Sequence, residues 1–301
     1  MKGFIYILLF APLALSAQEI QGHLTWGGLD RTFLIYVPGG EGSALAEGVK
    51  LPVIFALHGR FGTPETMVKL ADFRPIADRE KVILVYPAGI GRSWNDGRLK
   101  TPAHEQNIDD VGFLSELMTY MIRHYPVDST RLFVTGMSNG GFMTSRLGCA
   151  LSNRVAAIAV VAASIGSGSD CKPERTVPAL YMQGTKDPLV PFDGGEMKKG
   201  AGGVIDSHRQ ALDRWIDIDG CGKDPIVTHL RDSVRDRTTV TREVYVNKAS
   251  GVSVVGYTVE GGGHAWPGGW AYLPKAFIGV TSRNLDACEA IWAFFKSVPG
   301  R

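Results

Sequence analysis

The chain has 301 residues, with 32 Lys and Arg against 30 Asp and Glu and no long run of one charge sign. That balance argues against nucleic acid or an anionic membrane surface as a partner. The length accommodates one large core.

From the N-terminus, Met1 and Lys2 precede an apolar run at 4–15 that closes in the small residues Ala14, Ser16 and Ala17. This is the pattern of a secretory signal peptide. The run is shorter than the ~20 residues a spanning helix needs, and no later stretch is long and apolar enough to cross a bilayer. Residues 1–17 are therefore expected to leave on export, and residues 18–301 to form a single domain, secreted or periplasmic.

Segment 39–48 reads as a surface loop between early strands. Short apolar runs rich in β-branched residues follow at 53–57, 82–86, 131–135, 156–162, 179–183 and 252–259, and each predicts a strand. Most are continuously apolar, as a strand buried on both faces must be. Helical spacing appears at 111–125, at 140–151 and most clearly at 204–219, where Val204, Ile205, His208, Leu212, Trp215 and Ile216 share one face. Strands alternating with such helices predict an α/β fold, a mostly parallel, doubly wound sheet with helices on both faces.

Four Cys in an exported chain bring disulfides into consideration. Cys149 and Cys171 flank a strand-like segment, so a bridge between them would tie the end of one helix to the following loop. Cys221 and Cys288 either form a second bridge or stay free, since four Cys allow three connectivities. No C-x-x-C pair is present, and neither a metal nor another cofactor is expected.

The chemistry concentrates at three places. Gly136-Met137-Ser138-Asn139-Gly140 follows the strand at 131–135 and opens a helix, the setting that a G-x-S-x-G nucleophile elbow requires. A serine hydroxyl is a weak nucleophile until a base takes its proton. In the α/β-hydrolase fold the acid and then the base follow the serine in chain order. Asp187 lies in Gly184-Thr185-Lys186-Asp187-Pro188, just past the strand at 179–183; His264 lies in a glycine-rich loop just past the strand at 252–259. Ser138, Asp187 and His264 are thus the candidate nucleophile, acid and base, with Asp193 the rival acid. Two backbone donors should hold the oxyanion: Asn139, and Arg60 or Phe61 in His58-Gly59-Arg60-Phe61-Gly62 after the strand-like run at 53–57.

The elbow Gly136–Gly141, Trp94-Asn95-Asp96-Gly97-Arg98, Asp109-Asp110-Val111-Gly112-Phe113, the turn 184–191 and Gly262-Gly263-His264-Ala265-Trp266-Pro267-Gly268-Gly269 resemble the secreted polyhydroxybutyrate depolymerase and feruloyl esterase family. The resemblance covers nearly the whole mature chain. It implies hydrolysis of carboxylic esters: feruloyl or acetyl esters of plant polysaccharide, or short polyesters such as polyhydroxybutyrate. Two departures stand out. Many relatives place a Cys after the strand at 243–246 to pair with the equivalent of Cys221, where this chain has Ala249 and Ser250. Relatives often carry small residues after the His-Gly pair, where this chain has Arg60 and Phe61.

Trp94, Trp266, Trp270 and Tyr272, with Phe61, are expected to line the acyl pocket and to favour a planar aromatic acid such as ferulate. The expected partner is an ester linked to a polysaccharide or a polymer; the oligomeric state stays open. A non-catalytic protein on the same fold would have lost part of the triad, and a peptidase would carry a gating domain; neither feature is seen in the sequence.

Overall fold

The computed structural model describes residues 18–39, 48–98, 101–197 and 202–298. The expected signal peptide, and all but the ends of the 39–48 loop, lie outside these residues. In chain order the elements are β1 Gln18–Trp26, β2 Leu29–Val37, β3 Leu51–Leu57, α1 Pro64–Leu70, α2 Arg74–Glu80, β4 Ile83–Pro87, α3 Pro102–Glu105, α4 Asp110–His124, β5 Val127–Met137 and α5 Asn139–Ala150. They continue with β6 Ala157–Val161, β7 Ala179–Gly184, β8 Gly195–Glu196, β9 Val204–Ile205, α6 His208–Ile218, β10 Ile226–His229, β11 Thr239–Val246, β12 Ser253–Glu260, α7 Lys275–Ile278 and α8 Ala287–Ser297.

Ten strands form one sheet in the order β1-β2-β4-β3-β5-β6-β7-β12-β11-β10. The middle strands β4, β3, β5, β6, β7 and β12 run parallel, and antiparallel strands extend both edges. The six expected strands are these parallel ones. They were legible because both faces are covered: β3, β4, β6 and β7 are buried at every residue. Side chains alternate between two cores. Val53 and Phe55 of β3 join a core with α4, α5 and α6, while Ile54 and Ala56 join one with α1, α2 and α8. Phe133 of β5 stacks on Phe295 of α8 with ring centroids 4.6 Å apart, worth about 1 kcal/mol beyond the area it buries.

The structure alters one helix and adds the sheet edges. The expected helix at 204–219 begins only at His208. Val204 and Ile205 are a short strand, and Ser207 caps the helix, its hydroxyl accepting from Gln210 N–H while the Gln210 side chain accepts from Ser207 N–H. Ser-x-x-Gln is a capping box, which stops the helix where apolar spacing alone would extend it. At the edges, β1 and β2 form a hairpin over Gly27 and Gly28, at φ 57° and 77°. A two-residue turn with both central residues at positive φ matches strand twist, and glycine takes it without strain. β10 is exposed at all four residues, so it carries no apolar run to read.

Cys149, in the last turn of α5, is bridged to Cys171 across β6, with Cα atoms 5.1 Å apart. Cys221 and Cys288 are free and buried. They belong to the cores on opposite faces of the sheet, which rules out a bridge between them. Replacing Cys149 and Cys171 together by Ser should lower the unfolding free energy by about 2–4 kcal/mol, measured by urea unfolding; an unchanged midpoint would mean the bridge contributes nothing to stability.

Candidate active site

In an open parallel sheet, loops that carry chemistry collect at the carboxyl ends of the strands. β3 lies beside β5, and β7 beside β12. The loop 58–62 after β3 therefore flanks Ser138 on one side, and the loops carrying Asp187 and His264 emerge together on the other.

β5 ends at Met137 and α5 begins at Asn139, so Ser138 alone makes the turn, at φ 56° and ψ −122°. A residue with a side chain holds such angles only where its surroundings enforce them. Here the Ser138 N–H donates to Val161 O at 3.0 Å and its carbonyl accepts from Phe142 N–H at 2.9 Å. A Cβ on Gly140 would collide with the carbonyl oxygen of Leu57, and one on Gly136 with that of Gly140. Glycine at both positions lets the helix sit against the strand ends. The Asn139 amide completes the clamp: Oδ1 accepts from Trp94 N–H at 2.8 Å, and Nδ2 donates to Trp94 O at 3.0 Å and Asp96 Oδ2 at 2.6 Å.

Asp187 Oδ2 lies 2.7 Å from His264 Nδ1, both side chains buried. The other carboxylate oxygen accepts the N–H groups of Leu189 and Val190, each at 2.8 Å, so the carboxylate can turn neither way. Facing it, Nδ1 is the donor and Nε2 is left as the basic nitrogen. The His264 backbone is held as well, its N–H donating to Ile278 O at 2.6 Å and its carbonyl accepting from the Tyr272 hydroxyl at 3.3 Å. Asp193, the rival acid, is exposed and outside this pair.

Ser138, Asn139 and His264 open on one cavity of about 530 Å³. Its walls are mostly apolar: Met67 and Leu70 of α1, Met137, Leu189, Val190, Met197 and Leu273, with Phe61, Trp270 and Tyr272 supplying aromatic surface. None of these apolar residues was foreseen, because they come from several separate segments and read in sequence as ordinary core. Two expected pocket rings are not there. Trp94 is fully buried behind the loop after β3, its indole N–H donating to His58 O at 2.9 Å. Trp266 is fully buried with its ring edge-on to Phe73, centroids 6.1 Å apart. Both brace loops from the core side; nearness to a motif in sequence says nothing about which side of the loop a ring takes.

The choice between Arg60 and Phe61 as an oxyanion donor also narrows. The Phe61 N–H donates to Arg92 O at 2.8 Å, with Phe61 at φ 64°, so it is already engaged and Phe61 is withdrawn from that role. Arg60 is the remaining candidate, opposite Asn139, whose N–H in the first turn of α5 has no acceptor within the helix.

His58 shapes this loop without being a base. Nε2 accepts from Gly89 N–H at 3.0 Å, which makes Nδ1 the protonated nitrogen donating to Gly59 O at 2.7 Å. Burial pushes its pKa down to about 4, with Arg92 adding to the effect. A histidine depressed in the folded state contributes stability that is complete above its unfolded pKa of about 6.5 and drains as pH falls through about 4. The stability advantage of the native protein over His58→Gln should therefore shrink by about 3 kcal/mol between pH 7 and pH 4. Urea unfolding of both proteins across that range checks it, and parallel pH curves would refute it.

No family model matches the chain. Among curated proteins it is 29% identical over 255 residues to one named as esterase NocK of Nocardia uniformis subsp. tsuyamanensis, covering 82% of this chain and 74% of that one. It is 31% identical over 182 residues to feruloyl esterase B of Piromyces equi, covering 58% of this chain and 32% of the relative; the chain thus spans about a third of that protein. Among solved structures, acetyl xylan esterase from Aspergillus awamori superposes with a TM-score of 0.57 over 92% of this chain and 99% of its own, at 15% identity, a likeness of fold. With the sheet and helices described above, the chain has the α/β-hydrolase fold and is a carboxylic ester hydrolase resembling the carbohydrate esterases.

Proposed function

We propose that the chain is an exported serine esterase, residues 1–17 serving as a signal peptide and the rest as one catalytic domain, which cleaves feruloyl esters of plant polysaccharide through an acyl-enzyme on Ser138. The observation that carries the serine mechanism is the buried Asp187–His264 pair at 2.7 Å, whose histidine shares one cavity with the strained Ser138. His264 Nε2 takes the hydroxyl proton as Ser138 Oγ attacks the ester carbonyl. The oxyanion that forms is held by the backbone N–H groups of Asn139 and Arg60. Collapse of the tetrahedral intermediate expels the alcohol, which receives the proton from His264. Water, deprotonated by the same nitrogen, then releases the acid and restores Ser138.

The feruloyl reading draws on the relative named as a feruloyl esterase and on Trp270 and Tyr272 at the cavity. A second reading, cleavage of short polyesters, draws on the aliphatic wall of Met67, Leu70, Leu189, Val190 and Leu273. Purified protein offered methyl ferulate, acetylated xylan and polyhydroxybutyrate separates them by rate, and fastest release from the polyester would displace the feruloyl reading.

Ser138→Ala should abolish turnover on every ester, and a fluorophosphonate probe should label Ser138 in the native protein alone; activity near native would end the serine mechanism. Asp187→Asn should slow turnover about 10⁴-fold by favouring the wrong His264 tautomer, with Asp193→Asn mild; the reverse order would name the wrong acid. Trp270→Ala should cost methyl ferulate roughly 1–3 kcal/mol in kcat/KM and a short acetyl ester much less. Equal losses would mean the ring supports its loop and reads no acyl group.

A further inference from the structure

The cavity carries a charge that ester hydrolysis does not use. Two arginines line it. Arg98 is neutralised: its guanidinium is paired with the buried Asp96 at 2.5 Å and lies over the Phe142 ring at 3.8 Å. Arg60 is not. Its Nε is out of reach of solvent with no hydrogen-bond acceptor, and it enters none of the ion pairs among the described residues. No Asp or Glu lines the cavity. The neighbouring Arg92 is spent on the loop itself, donating to the carbonyl oxygens of Phe61 and Gly62.

The Arg60 guanidinium carbon lies 4.8 Å from the centre of the Phe61 ring. Stacking on a ring face leaves the in-plane N–H donors of a guanidinium free. A buried donor with no acceptor costs free energy that a ligand bearing one recovers. A guanidinium presents a planar fork of donors, and its natural complement is a carboxylate, which it binds bidentately.

We infer that Arg60 is a specificity-determining residue that reads a carboxylate on the substrate, so that the preferred ester carries an anionic group within reach of an arginine side chain from the scissile carbonyl. This rests on the serine-esterase reading, in which the Arg60 backbone holds the oxyanion and its side chain consequently starts beside the reacting carbon. The carboxylate has two sources: the acyl part, as in a half-ester of a dicarboxylic acid, or the alcohol part, as in an ester of a hydroxy or uronic acid.

Two matched pairs distinguish the sources: monomethyl against dimethyl adipate for the acyl side, and 3-acetoxybutyrate against its methyl ester for the alcohol side, read as methanol and acetate release. One charged ester should exceed its neutral partner in kcat/KM by about 10-fold or more, mainly through KM. Arg60→Gln should erase that ratio, Arg60→Lys should keep part of it, and added salt should weaken it in the native protein. Charged-to-neutral ratios that are the same in native protein and Arg60→Gln, for both pairs, would overturn the inference while leaving the serine mechanism standing. Calorimetric binding of the two charged esters to Ser138→Ala, with and without Arg60→Gln, reads the same contact without turnover. A 10-fold weaker Kd in the double variant supports the inference even if no ester is cleaved, and an unchanged Kd for both refutes it.

Discussion

The side-chain amide of Asn139 is the interaction on which the rest of the site depends. Ser138 occupies backbone angles that cost free energy, and the residue beside it returns that cost through three hydrogen bonds to Trp94 and Asp96. The chain of contacts continues outward. The Trp94 indole holds the His58 carbonyl, and the His58 ring holds Gly59 and Gly89. Asp96, on the far side, fixes Arg98 in the cavity wall. The elbow, the loop after β3 and the cavity wall are one hydrogen-bonded body, so their spacing is set before a substrate arrives.

That body is anchored to the edge of the sheet by a buried ion pair. Arg31 of β2 donates to Asp110 of α4 at 2.6 Å, and the second Asp110 oxygen accepts from Asn95 N–H at 2.7 Å. Arg31 also lies over the Phe113 ring at 3.8 Å. A buried pair of this kind is a weak source of net stability but costly to break on one side. Here it places the 94–98 segment against α4 in one geometry. The two stretches Trp94–Arg98 and Asp109–Phe113, which look in sequence like site motifs, form the frame behind the cavity, with Arg98 alone of them reaching its wall.

The candidate nucleophile, acid and base were legible because their signals are local: a glycine-flanked serine between strand and helix, and an acid and a histidine each just past a strand. The parallel strands were legible for a like reason, since burial on both faces forces an unbroken apolar run. Two kinds of feature were not. Edge strands β1 and β10 face solvent on one or both sides, and their polar residues look like loop. The cavity wall is assembled from α1, the 187–197 loop and the 270–273 loop, and apolar residues there cannot be told from core without the fold. Trp94 and Trp266 were misread because a tryptophan beside a motif packs as readily inward as outward.

The cysteines carry a consequence for how the chain is made. Of the possible pairs, Cys149 and Cys171 are the nearest along the sequence, so theirs is the loop that closes at least entropic cost. They also come first. In a chain threaded from its N-terminus into an oxidising compartment, both are available before Cys221 and Cys288 emerge, and the correct link can form while no wrong partner is present. The two later thiols are then taken into cores on opposite faces of the sheet, out of reach of each other. Burial keeps these thiols apart, and on the proposed export the order of emergence would act as an editor of the covalent structure.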